Sequence, residues 1–263
     1  MARPPVVLLT DFGTRDHYAA VMKAAVLKVN PQALLLDLTH EVPPMKIETA
    51  AYLLKTSYEY FPAGSIFVNV VDPGVGTQRK ILAVKAAGRY FLAPDNGLLA
   101  PVLGAERSKE IRSVENSRYF KARPSFTFHG RDIFAPAAAH LSLSSAVFKN
   151  LGPKVSSWKP LKFSCEPEVK PRRITGRIVY VDRFGNAITN ILYSHAAPRF
   201  WEKAVISCKA KSAGRIRNTY GDKEGRLVAL FNSFEQLEFA VAGGSAEKTF
   251  RFKAGDAVTA AAD

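Results

Sequence analysis

Three short apolar runs, residues 6–10, 33–38 and 65–71, alternate with two helix-spaced segments, residues 16–29 and 47–60. In the first segment Tyr18, Val21, Met22, Ala25, Val26 and Val29 share one face. In the second, Ala50, Ala51, Leu54 and Tyr58 do so. Asn30-Pro31 and Pro62-Ala63-Gly64 stop the two helices. Strand–helix–strand–helix–strand predicts an α/β layered domain. Its strands end in polar knots: Asp11-Phe12-Gly13, Thr39-His40-Glu41 and Asp72-Pro73-Gly74-Val75-Gly76-Thr77-Gln78-Arg79. Open α/β sheets place their ligands at such strand ends. Gly74 and Gly76 let the backbone turn sharply, and Arg79 lies within ion-pair reach of Asp72 across the turn. A tight turn closed by a structural Asp–Arg pair is the alternative reading.

Further along, residues 81–84 and 90–93 read as paired strands, Pro94-Asp95-Asn96-Gly97 as a turn, and residues 98–103 as the opening of a short helix. Thr127-Phe128-His129-Gly130-Arg131-Asp132 precedes an Ala-rich helix over residues 133–141. Pro153, Pro160, Pro167 and Pro171 then punctuate a polar stretch. We divide the chain into an α/β domain (1–155), a linker (156–173) and a second domain (174–263). In the second domain short apolar runs at 176–181, 187–191, 204–208, 227–230, 237–241 and 249–252 alternate with Gly, Asn and charge, with no convincing helix. That pattern predicts an all-β barrel or sandwich.

The chain has 263 residues and a net charge of +14. Such a charge raises nucleic-acid binding as a function. The cations are scattered, however, and the densest group, Lys170-Pro171-Arg172-Arg173, falls in the linker. No basic helix with interleaved aromatics occurs, which argues against that partner. No apolar run reaches membrane-span length. The opening run is too short for a signal-peptide core. Cys165 and Cys208 form neither a disulfide framework nor a metal-binding spacing. The expectation is a cytoplasmic protein.

Asp11, at the end of the first strand, suits a ribose diol; capping the following helix is the alternative. Gly74-Val75-Gly76 is only a fragment of a phosphate-binding loop, so a triphosphate or dinucleotide site is poorly supported. His40-Glu41 and the His129–Asp132 knot lack the spacing of a helical zinc site. His17, His140 and His195 read as surface or core histidines. Asp182-Arg183-Phe184-Gly185-Asn186 offers a carboxylate, an aromatic face and an amide, a set that suits a zwitterionic ligand; a hairpin turn is the alternative. Asn232-Ser233-Phe234 is a similar turn.

Six ordered motifs carry a resemblance. They are Thr10-Asp11-Phe12-Gly13, Thr39-His40-Glu41 with Pro43-Pro44, Val71-Asp72-Pro73-Gly74-Val75-Gly76-Thr77, Pro94-Asp95-Asn96-Gly97-Leu98, the stretch from Phe128-His129-Gly130 to Pro136, and Asp182-Arg183-Phe184-Gly185-Asn186 with Thr189-Asn190. The chain resembles the S-adenosyl-L-methionine (SAM) hydroxide adenosyltransferases, relatives of the SAM-dependent fluorinating and chlorinating enzymes. The resemblance implies an α/β domain and a C-terminal β-barrel, assembled as a homotrimer with SAM bound at subunit interfaces. It implies hydrolysis of SAM to adenosine and L-methionine by water or hydroxide attacking the ribose C5′. Asp72, Arg79 and His129 would be catalytic. Asp11 would bind the ribose diol, and the loop at Met45 would cover ribose and adenine. Asp95 and Asn96 join the substrate-binding set. Asp182 and Asn186 would hold the methionine ammonium, with Phe184 packing beside it and Ser233 on the carboxylate. No metal or separate cofactor is implied. A halogenase would place a halide against the Asp72 carboxylate, a like-charge clash on the order of 3 kcal/mol or more, and has a Ser where Gly130 stands. A non-catalytic SAM- or nucleoside-binding protein is the remaining alternative.

Overall fold

A computed structural model describes residues 4–161, 166–221 and 224–262. Cys165 lies outside the described residues. The chain divides into two compact units, residues 1–163 and 164–263.

The first unit begins with β1 (Val6–Thr10), α1 (Tyr18–Val29), β2 (Leu35–Thr39), α2 (Ile47–Ser57) and β3 (Ile66–Val70). It continues with β4 (Ile81–Ala86), β5 (Arg89–Pro94), α3 (Ala100–Ala105), β6 (Lys109–Ser113), α4 (Ala135–Leu143) and α5 (Val147–Asn150). Its six-stranded sheet has the order β2-β1-β3-β5-β4-β6. Every residue of β1 is buried, because both faces of the sheet are covered. Val6 and Leu8 pack with Met22, Val26 and the alanines of α4 on one side. Val7 and Leu9 pack with Ala50, Leu54, Val102 and Leu103 on the other. Successive side chains of a strand point to opposite faces, so one apolar run serves two cores. The alanines of α4 (Ala137, Ala138 and Ala139, all fully buried) let that helix approach the sheet closely.

The strand directions position the polar knots. β2, β1, β3 and β5 form consecutive parallel pairs. Their carboxyl ends therefore lie on one edge, and His40, Asp11, Asp72 and the Asp95-Asn96 turn follow along it.

The second unit contains β7 (Glu168–Lys170), β8 (Arg173–Val181), β9 (Ala187–Leu192), α6 (Pro198–Lys203), β10 (Val205–Cys208) and β11 (Lys211–Arg215). It ends with β12 (Leu227–Phe231), β13 (Gln236–Val241), α7 (Ala246–Phe250) and β14 (Ala257–Ala261). The strands form one sheet in the order β11-β10-β14-β8-β9-β13-β12, with β7 added on β8. The sheet curls into a nearly closed barrel. The Arg217 amide, just past β11, donates to the Ala229 carbonyl in β12 across the closing edge (2.8 Å). Ile178, Ile206, Phe239, Phe252 and Val258 fill its core.

Three local readings change. Residues 249–252, expected as a strand, instead close α7, whose N-cap Ser245 accepts from the Lys248 amide (3.1 Å). Phe252 still enters the core, after a left-handed turn at Arg251. Strands β11 (Lys211-Ser212-Ala213-Gly214-Arg215) and β14 (Ala257-Val258-Thr259-Ala260-Ala261) come from stretches of mostly small residues, and α6 and α7 are short helices in a domain expected to have none. The stretch read as linker is partly structured: Trp158 packs on the first unit's core, and β7 pairs with β8. Cys208 is buried, and burial pushes its thiol up to about 11. No helix among the described residues is long and apolar enough to cross a membrane.

Candidate active site

The turn after β3 brings Asp72 and Arg79 together. Arg79 Nε donates to both carboxylate oxygens of Asp72 (2.9 and 2.8 Å), and Nη2 donates to Oδ2. Both side chains are buried, Asp72 at 4% exposure and Arg79 at 6%. The turn is tied locally: the Val75 amide donates to the Asp72 carbonyl, and Thr77 Oγ1 donates to the Gly74 carbonyl (2.7 Å). Gly76 has φ +78°, and a Cβ there would press into the Phe126 carbonyl. Only glycine lets the loop before His129 lie on the Asp72 turn.

Arg79 also reaches the third residue, with Nη2 2.8 Å from His129 Nδ1. A guanidinium only donates, so Nδ1 accepts and the neutral imidazole carries its proton on Nε2. Burial, and then the Arg79 charge, hold the His129 pKa below its ordinary value. His129 stands at the start of a single π turn, Gly130–Phe134, that leads into α4. Asp132, in that turn, is buried and accepts from Arg131 Nε (2.6 Å) and the Ser125 amide (2.8 Å). The Lys121 amide donates to its carbonyl (2.9 Å), so one residue anchors both ends of the loop over residues 121–128. A Cβ at Gly130 would stand 3.3–3.5 Å from Phe128, Phe12 and Met22.

Asp11 is at the same sheet edge. Burial raises its carboxyl pKa, and the Asp72 charge adds to the rise. Its Oδ2 accepts from the Met45 amide (2.9 Å). Met45 adopts φ +63°, so its strained backbone is spent on that bond while its side chain is exposed. The preceding Thr10 is clamped: its hydroxyl is 2.7 Å from His40 Nδ1. His40 Nε2 lies 3.1 Å from Asp37 Oδ1, outside the directional range of a hydrogen bond. His40 is thus a buried prop for the strand end carrying Asp11. Asp95 and Asn96 serve the frame: Asp95 accepts from the Lys159 amide (2.8 Å), and Asn96 donates to the carbonyl of Val71, next to Asp72 (2.8 Å).

In the second unit Asp182, Phe184 and Asn186 share the β8–β9 turn. Asp182 Oδ1 accepts from the Phe184 and Asn186 amides (2.9 Å each), and Asn186 Nδ2 donates to Oδ2 (3.2 Å). Phe184 projects outward at 76% exposure. Ser233 is exposed on the β12–β13 turn, which is shaped by Asn232 Oδ1 accepting from the Phe234 and Gln236 amides. Behind that turn is Glu238, a buried acid that the sequence reading passed over. One acid inside the apolar run 237–241 was the available signal.

A buried carboxylate and guanidinium and a half-buried imidazole thus stand in series at the carboxyl edge of a sheet flanked by helices. Comparison with known proteins gives the family. Residues 6–152 match the SAM hydroxide adenosyltransferase N-terminal domain and residues 176–259 its C-terminal domain. The chain belongs to the SAM hydroxide adenosyltransferase family. It is 39% identical to the (R)-S-adenosyl-L-methionine hydrolase of Thermus thermophilus, over 95% of this chain and 97% of that one. The solved structure of an uncharacterized conserved protein from Thermotoga maritima superposes with a TM-score of 0.89 at 36% identity, covering 97% of this chain and 99% of that one. A fluorinase of an Actinoplanes species is more distant, 26% identical over 72% of each chain.

Proposed function

We propose that this chain hydrolyses SAM to adenosine and L-methionine, with Asp72, Arg79 and His129 as catalytic residues. The observation that carries the reading is the buried Asp72–Arg79 pair joined to the half-buried His129 at the strand-end edge. The sulfonium already activates C5′, because methionine departs as a neutral thioether that keeps the bonding pair. What the protein supplies is an aligned nucleophile. Water is held between Asp72 and His129. His129 Nε2–H donates to the water oxygen, and Asp72 retains acceptor capacity beyond its bonds to Arg79. As the oxygen closes on C5′, its proton passes to Asp72, and Arg79 stabilises the hydroxide character that develops. No metal or other cofactor is assigned to the step.

Asp11 receives the ribose diol, with Met45 over the sugar and base. Asp95 and Asn96 belong to the substrate-binding set, with Asn96 also tied to the Val71 carbonyl beside Asp72. Asp182 and Asn186 take the ammonium, Phe184 packs beside it, and Ser233 meets the carboxylate. Halide is disfavoured by the buried Asp72 anion and by Gly130, where three neighbours crowd the space a Ser side chain would enter. We assign the working assembly to a homotrimer in the cytoplasm, one chain's α/β unit meeting its neighbour's β unit over SAM.

Turnover in ¹⁸O-water with chloride present tests the chemistry. The expected product is adenosine with the label in its 5′ hydroxyl. Unlabelled adenosine, or a 5′-chloro nucleoside, would refute attack by water at C5′.

A further inference from the structure

Glu238 is 2% exposed yet sits in β13 between Leu237 and Phe239, whose side chains enter the barrel core. By strand alternation it faces the other side of the sheet, with Ala240 of the small cluster Val228, Leu230 and Ala240. Its cover on that side includes Tyr220, whose hydroxyl donates to Oε1 (3.1 Å). Asn232 Nδ2 donates to Oε2 (3.1 Å). Both carboxylate oxygens thus accept from a neutral donor, and among the described residues no cation pairs with Glu238 or with Asp182. Burial pushes the Glu238 carboxyl above its usual range; Asn232 and Tyr220 oppose the rise and the nearby Asp182 charge adds to it. Two carboxylates that repel each other and lack a cation cost free energy unless a positive group arrives. The sheet register sets them at the same end of three adjacent strands: Glu238 pairs with Ile188 and Phe239 with Ala187, and Ala187 pairs with Val181, the residue before Asp182.

We propose that Glu238 is a positioning residue for the amino-acid end of the substrate: its buried carboxylate pins the Asn232–Ser233 turn from behind and adds to Asp182 a second negative charge that the substrate ammonium neutralises. The proposal rests on SAM being the substrate. It makes the unit selective for a ligand with a free α-ammonium group, through a residue that does not touch the reacting atoms.

The test separates charge from shape. Glu238→Gln keeps the volume and both hydrogen bonds, because the amide oxygen accepts from Asn232 and the amide nitrogen donates to the Tyr220 hydroxyl oxygen. SAM and its desamino analogue, with hydrogen in place of the α-ammonium, are titrated calorimetrically into the Asp72→Ala protein with and without Glu238→Gln. SAM should bind roughly tenfold more weakly to the double variant, and the desamino analogue should bind both proteins within a factor of about two. Unchanged SAM affinity, or equal losses for both ligands, would overturn the proposal. Asn232→Ala removes the same link but leaves both carboxylates, so it should weaken the two ligands by one factor. A loss confined to SAM there would equally overturn the role given to Glu238. Adenosine formation by the wild-type chain is read separately. Absence of turnover with the affinity split intact would count against hydrolysis and not against this assignment.

Discussion

Arg79 faces two partners at once, and that fixes how His129 works. The ring must be neutral to accept from Arg79, so protonating it breaks the series. Its pKa is held below the ordinary 6.5, so the acid limb of kcat/KM should have its midpoint below pH 6.5. A pH–rate profile with its acid limb at or above 6.5 would contradict this. Arg79→Lys keeps the charge but cannot fork onto Asp72 and still reach His129. It should cost about 100-fold or more in kcat/KM, measured by adenosine release. The Asp72–Arg79 pair was legible in the sequence because one tight turn joins them. The role of His129 came only through the family resemblance, since it lies 50 positions from Arg79 and no local pattern joins the two. Glu238 was hidden for a related reason: an acid in a strand looks solvent-facing until Tyr220 is known to cover it.

Elements do the positioning, and two contacts carry it. Gly76 lets the segment before His129 rest on the Asp72 turn. Gly76→Ala imposes a left-handed alanine and a backbone clash, so it should lower stability by at least about 2 kcal/mol, read as a fall in Tm. Asp132 anchors the same segment. Its bond to Arg131, and then the Ser125 amide, lower its carboxyl to about 2 from an ordinary 3.8. A depressed carboxylate stabilises the fold above its unfolded value, so this contribution is present above about pH 3.8 and is lost as pH falls through 2. Asp132→Asn should remove that part of the acid dependence, seen by comparing acid unfolding of the two proteins. The α/β half was readable because β1 and β3 are largely apolar runs and their helices have clear stops. In the barrel, β11 and β14 were missed because their small side chains, mostly Ala, Gly, Ser and Thr, give only a weak strand signature. Phe250 and Phe252 imitated a strand's alternation while one of them closes a helix.

For the whole molecule, the two-domain division was legible from the change of texture near the prolines, though part of that stretch folds onto each unit. Assembly was not legible, because single-chain patterning carries no interface. The trimer expectation is checked by light scattering, with a mass near three times the 28.8 kDa chain expected and a monomer contrary to it. The central claim is that the buried Asp72 series directs water onto SAM. The most direct measurement is chromatography of SAM incubated with the wild-type chain and with Asp72→Ala, with and without added halide. Adenosine and methionine from the wild type, unchanged by halide and reduced at least about 100-fold in the variant, are predicted. A 5′-halo nucleoside, full activity in Asp72→Ala, or tight SAM binding without product would contradict it.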